Sequence, residues 1–245
     1  NFDTLWQDEN IIVWLARSRD GGNCVMALDG LTPKIVSTKA IDRILNSYKV
    51  SDAYGYGARI AGHVMYFLTL PTADKTLVFS LTDNMWHEWT SYDGATETYF
   101  KLQDLKGYIA SSGSVAYVGL HISNGSIYPL DTDNYQDVGQ DIKMKLVTDK
   151  IDFQTNQRKF LPHLHLMCTL IDNSTAVNIS MRHTDDDYKT WYTNEDKDLR
   201  YIPTWKALGS FNRRAFEFTF IANFPLRIET LEFGIKLGTY AQGRG

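Results

Sequence analysis

Val64-Met65-Tyr66-Phe67-Leu68, a turn at Ala73-Asp74, then Thr76-Leu77-Val78-Phe79-Ser80-Leu81-Thr82: this stretch decides the fold. It reads as two strands joined by a short turn, the first built around a central aromatic and the second ending on a polar residue. The same pattern stands upstream as Ile11-Ile12-Val13-Trp14-Leu15, Gly21-Gly22 and Cys24-Val25-Met26-Ala27-Leu28-Asp29. It returns downstream as Val115-Ala116-Tyr117-Val118-Gly119-Leu120, Asn124-Gly125 and Ser126-Ile127-Tyr128-Pro129-Leu130-Asp131. Aligning Trp14, Tyr66 and Tyr117 gives spacings of 52 and 51 residues. A period of that size, with each unit built on a hairpin, is the sequence sign of propeller blades.

The segments between the hairpins extend the pattern. Pro33-Lys34-Ile35-Val36-Ser37-Thr38 reads as a further strand. Ile41, Ile44 and Leu45 then follow helical spacing, with Thr38 placed to cap the helix. Ser51 to Arg59 is rich in Gly and Tyr and leads into the second hairpin. Met85-Trp86-His87-Glu88-Trp89 reads as another strand between the turns Asp83-Asn84 and Asp93-Gly94. Three units are too few to close a ring, since propellers have about four to eight blades. The remaining blades are expected either upstream in a longer chain or from another chain, and the absent initiator Met favours the first.

Past residue 140 the period stops. Residues 142–148, 164–170, 177–182, 215–221 and 226–235 form five strand-like runs, with polar turns such as Asp172-Asn173-Ser174. Runs of this length without a helix pattern predict an antiparallel β-sandwich. The expected fold class is therefore all-β: a partial β-propeller of three blade-like repeats over 1–140, a fragment of a larger propeller, then a β-sandwich domain over 141–245.

Composition narrows the function. The 245 residues suffice for a sizeable core, and 43% hydrophobic with 22% charged residues is ordinary for a globular protein. Aromatics reach 13%, which favours strands. A net charge of −4 argues against wrapping nucleic acid, which calls for a basic surface. The two cysteines, Cys24 and Cys168, lie far apart in apolar runs and read as buried reduced thiols. The chain contains no apolar run long enough to cross a membrane as a helix.

Several segments resemble the packaged-DNA stabilisation proteins, the tail accessory hub of short-tailed, tailspike-bearing phages. They are Ile12-Val13-Trp14-Leu15-Ala16-Arg17, Ile35-Val36-Ser37-Thr38 with Ala40-Ile41-Asp42, and Gly62-His63-Val64-Met65-Tyr66 through Leu70-Pro71. That last segment continues through Lys75-Thr76-Leu77-Val78 to Trp86-His87-Glu88-Trp89. Leu208-Gly209, Arg213-Arg214, Phe216-Glu217-Phe218 and Pro225-Leu226-Arg227-Ile228 also look like phage tail-hub sequence. The resemblance implies a non-enzymatic virion protein of the tail: a propeller hub in a ring of its own copies. It would bind the portal-side adaptor, the tail needle and the tailspike, and help to retain the packaged genome without touching it. The alternative is a carbohydrate-binding or adhesive β module, with a hydrolase sited at the propeller mouth as a lesser rival.

Candidate chemistry reads as structural. His163 and His165 share a strand face, but further ligands at zinc spacing are missing. Asp185-Asp186-Asp187 lacks the alternation of a calcium loop and reads as a solvated turn; Asp131-Thr132-Asp133-Asn134 comes closer but lacks the following Gly and distal Glu. His87 and Glu88 point to opposite faces of their strand, so the two flanking indoles read as packing. Nucleophile elbows and phosphate-binding loops are absent, and Gly55-Tyr56-Gly57 is too short to count as one. No catalytic, cofactor-binding or metal residue is assigned, and no cofactor is expected.

Overall fold

The computed structural model describes residues 2–19, 21–111, 115–171 and 176–238. The predicted turn Asp172-Asn173-Ser174 lies outside them. The described chain is all-β and antiparallel, with a single α-helix among the described residues. It divides into two compact units, 1–134 and 135–245.

The first unit is three antiparallel meanders in succession. Sheet 1 runs β1 (Trp6–Asp8), β2 (Ile11–Arg17), β3 (Asn23–Asp29) and β4 (Thr32–Ile35). After α1 (Lys39–Ser47), sheet 2 runs β5 (Tyr54–Ile60), β6 (His63–Leu70), β7 (Lys75–Ser80), β8 (Met85–Tyr92) and β9 (Glu97–Tyr99). Sheet 3 runs β10 (Leu102–Ile109), β11 (Val115–His121) and β12 (Ile127–Leu130). Strand order in each sheet is chain order, as hairpin connections dictate.

Sheet 2 is buried on both faces. Tyr66 to Leu70 on β6 and Thr76 to Ser80 on β7 are all buried, although alternate residues point in opposite directions. Tyr66, Leu68, Leu70, Leu77 and Phe79 share one core with Val13, Leu15, Val25 and Ala27 of sheet 1. Tyr56, Ala58, Phe67 and Val78 share another with Phe100, Leu102 and Leu105. The continuous apolar runs of β6 and β7 thus follow from packing on both sides.

The helix forms where the spacing predicts it. The Thr38 side chain accepts from the Ile41 N–H at 3.4 Å, and Ile41 and Leu45, one turn apart, enter the core with sheet 1. Two segments differ from expectation. The strand after the first hairpin ends at Ile35, because 36–38 turn into the helix cap. The Gly/Tyr-rich segment is itself a strand, β5. A Cβ at Gly57 would lie 2.1 Å from the Trp6 indole, so glycine there admits the ring.

The second unit places two antiparallel sheets over one core. One runs β13 (Gln136–Asp137), β14 (Gln140–Val147), β21 (Ala215–Ala222), β16 (Asn178–Thr184) and β17 (Tyr192–Thr193), with β18 (Lys197–Asp198) also paired to β16. The other centres on β15 (Lys159–Cys168), flanked by β19 (Thr204–Lys206), β20 (Ser210–Phe211) and β22 (Ile228–Leu237). Phe216, Phe218 and Phe220 of the first face Leu161, Leu164, Leu166 and Trp205 of the second in the shared core.

Candidate functional site

Trp14, Tyr66 and Tyr117 each fall on the second strand of a sheet. Tyr66 is fully buried against Trp6, and its hydroxyl donates to the Thr4 carbonyl at 2.7 Å. Burial pushes that phenol well above its ordinary pKa. The Tyr117 hydroxyl accepts from the Arg59 N–H at 2.9 Å, which ties sheet 3 to sheet 2. Trp14 alternates with the buried Val13 and Leu15 and so lies on the opposite, outer face of sheet 1.

That outer face is apolar. In register, Ile12 stands beside Leu28 and Pro33, and Trp14 beside Met26 and Ile35. Ile35 is 60% exposed. Sheet 3 ends the stack with an apolar patch at one edge: Val118 pairs with Pro129 and Leu120 with the 70% exposed Ile127, while Lys106 and Gln103 stand beside them on the other strand. Contiguous apolar faces of this kind mark interaction surfaces.

Apart from His163 and His165, whose ring centroids lie 4.9 Å apart, the remaining candidates are dispersed. Trp86 stacks on Phe79 and donates its indole N–H to the Val36 carbonyl at 2.9 Å, while Trp89 meets Phe67 edge-on. Glu88 pairs with Lys75 at 2.6 Å, and His87 is exposed, so the four residues split as alternation predicts. His163 packs over Gly234, where a Cβ would lie 2.2 Å from its ring, and His165 bonds the Thr204 hydroxyl at 2.8 Å. Asp131 accepts from the Asp133 N–H in a local turn. Cys24 and Cys168 are free thiols, raised in pKa chiefly by burial. Among the described residues, no group of three or more His, Cys, Asp or Glu is arranged to hold a metal ion.

The run Asp185-Asp186-Asp187 is an exposed turn between two strands, as expected, and all three of its carboxylates are also engaged. Asp185 takes two 2.7 Å bonds from Arg214, which is 3% exposed. Asp186 accepts from the backbone N–H groups of Lys189 and Thr190 and from the Thr184 hydroxyl. Those bonds, led by Thr190, hold its pKa down at about 2. Asp187 pairs with Lys150 at 2.7 Å and with Arg213 at 3.3 Å. On the outer face of the same sheet, Glu217 is gripped bidentately by Arg182 at 2.7 and 2.9 Å, and that guanidinium lies over the Trp191 ring. Half-buried His183 bonds Asn194 through Nδ1, and burial, helped by Arg214, lowers its pKa to about 4.

Sequence reasoning missed Arg214, Glu217 and the buried Lys159. Glu217 alone carries a local signal, a charge inside the apolar run Phe216-Glu217-Phe218; Arg214 and Lys159 follow other polar residues in the chain.

No family model matches the chain, and no curated protein matches it. Solved structures that align with it include one described as a glycoside hydrolase, at 12% identity and a TM-score of 0.28, covering 94% of this chain and 58% of that one. Another is an exo-beta-1,3-galactanase from Phanerochaete chrysosporium with galactose, at 7% identity and a TM-score of 0.21, covering 92% of this chain and 56% of that one. The chain thus spans less than two thirds of these proteins, and scores this low carry over neither a site nor a substrate.

Proposed function

We propose that the protein is a structural subunit of a phage tail machine, a hub that binds neighbouring tail proteins and helps to retain the packaged genome. In this reading the three meanders are consecutive blades of a β-propeller, and the second unit is a β-sandwich that offers further contact surface. The observation that carries it is the stack itself: a central sheet buried on both faces, flanked by two sheets that each expose apolar residues on the outer side. Further sheets of a ring would cover those faces in the way sheets 1 and 3 cover sheet 2. Function then means interface formation at the tail of the virion, with no bond chemistry. The resemblance of Gly62 to Trp89 to tail-hub sequence points the same way.

The test is assembly. The purified chain, mixed with the portal-side adaptor, tail needle and tailspike proteins of a short-tailed phage, is expected to form a complex of fixed stoichiometry by light scattering. Ile35→Asp and Ile127→Asp, both at exposed positions, are expected to weaken it. Failure to associate with any of the three, together with selective binding on a glycan array, would establish the carbohydrate-binding alternative. The exposed ring of Tyr188, 6.0 Å from that of Trp191, is the feature that favours this second reading.

A further inference from the structure

A cavity of about 420 Å³ opens in the second unit, lined by Arg158, Asp185, Ser210, Phe211, Asn212 and Arg213. Its charges are unequal. Asp185 is the one carboxylate of the lining, and Arg214 already holds both of its oxygens. Arg213 is exposed and shares Asp187 with Lys150. Arg158 is exposed too, and its described bond runs from Nε to the Ser210 hydroxyl at 2.8 Å, with no carboxylate partner among the described residues.

A second cation sits next in the chain. Lys159 is fully buried, and its Nζ donates to the carbonyls of Thr155, Gln157 and Asn212. Those three bonds use all the donors of the ammonium. Carbonyl dipoles satisfy its hydrogen bonds but leave its charge in place, where little solvent screens it. Asn212, whose carbonyl holds this ammonium at 2.6 Å, lines the cavity. In a chain of net charge −4, this is a local concentration of positive charge around a concave site with hydroxyl and amide groups in its wall.

We infer that this cavity binds a small oxyanion, a phosphate or carboxylate group, between Arg158 and Arg213. Guanidinium forks match both anions bidentately, and Ser210 and Asn212 supply neutral hydrogen bonds to the rest of the ligand. The volume suits a ligand of roughly monosaccharide size, within the ordinary range of about 300–1,000 Å³ for small-molecule sites. A free phosphate and a sugar acid share this chemistry, and the assay tells them apart.

The experiment is a ¹H–¹⁵N NMR titration of the whole chain at fixed ionic strength, with inorganic phosphate in one arm and glucuronate in the other, following the amides of Ser210 and Asn212. Saturable shifts are expected in at least one arm, and the responding arm names the source. Arg158→Met, at an exposed position, is expected to raise Kd about tenfold while leaving the spectrum otherwise folded. The proposal is overturned if neither anion gives a saturable shift, or if Arg158→Met leaves Kd unchanged. It is equally overturned if uncharged galactose shifts the same amides as strongly, or if only a long polyanion binds.

Discussion

The two units handle buried polarity in opposite ways. In the first, the buried polar side chains of the described residues are all hydroxyls: Thr4, Thr69, Thr76, Ser80 and Ser91. They are satisfied locally, as where Thr69 and Thr76 meet across β6 and β7 at 3.1 Å and Thr4 accepts from the Leu15 N–H. In the second, Lys159, Arg214 and Glu217 are buried as full charges. The first unit therefore owes its cohesion to apolar layers and ends in apolar faces. The second is fastened by ion pairs of fixed geometry and carries its polarity to the surface. Layers accept further layers, whereas an ionic network specifies one arrangement of loops.

The contrast predicts where each unit breaks. The largest effects are expected from removing the buried guanidinium of Arg214 or one central ring. Arg214→Met strands the Leu208 carbonyl and leaves the exposed Asp185 without its donor, and is expected to destabilise the second unit by about 1–3 kcal/mol. Phe67→Ala removes the ring that contacts Tyr56, Trp89 and Phe100 and is expected to cost about 3–5 kcal/mol in the first unit. Urea unfolding followed by hydrogen exchange tells which unit opens. Loss of protection in both units from either substitution would erase the distinction.

Gly57→Ala comes next, at about 1–3 kcal/mol, because the new methyl group would overlap the Trp6 indole. Trp6→Ala made together with it should recover part of that loss, and the double-mutant cycle measures how much.

The pH response belongs to the second unit. The folded pKa of His183 is lowered to about 4 against about 6.5 in the unfolded chain, so the unfolded state takes up its proton first as pH falls. The stability held by neutral His183 is complete above about pH 6.5 and is lost progressively down to about pH 4; the shift corresponds to about 3 kcal/mol, which solvent screening of the half-buried ring reduces to the order of 2 kcal/mol. His183→Gln should flatten the urea midpoint of the second unit across that window. The smallest effect is expected at the exposed His87, where Ala should change stability by less than about 0.5 kcal/mol.

Much of this layout was legible from residues near one another in the chain. The aromatic period located the second strand of each sheet, and Thr38 with Ile41 and Leu45 located the helix. Strand β5 was obscured because Gly55 and Gly57 weaken the strand signal, and their reason, the room taken by Tyr66 and Trp6, comes from distant chain. Strand β10 was obscured by the irregularity between Gln103 and Lys106, where Asp104 has a positive φ and the alternation shifts. The charged network was illegible for the same reason of distance. Arg182 meets Glu217 through strand pairing, and the Asp185 to Asp187 run finds Arg214, Arg213 and Lys150 only once the sheets have formed.

The most direct measurement is a reconstruction of an assembled phage tail that contains this chain, at a resolution that traces its sheets. The account predicts sheets 1 to 3 side by side around a common axis, with further β-sheet against Trp14, Met26 and Ile35 at one end and against Val118, Leu120 and Ile127 at the other. Density showing both faces open to solvent, or covered by something other than sheet, would contradict it.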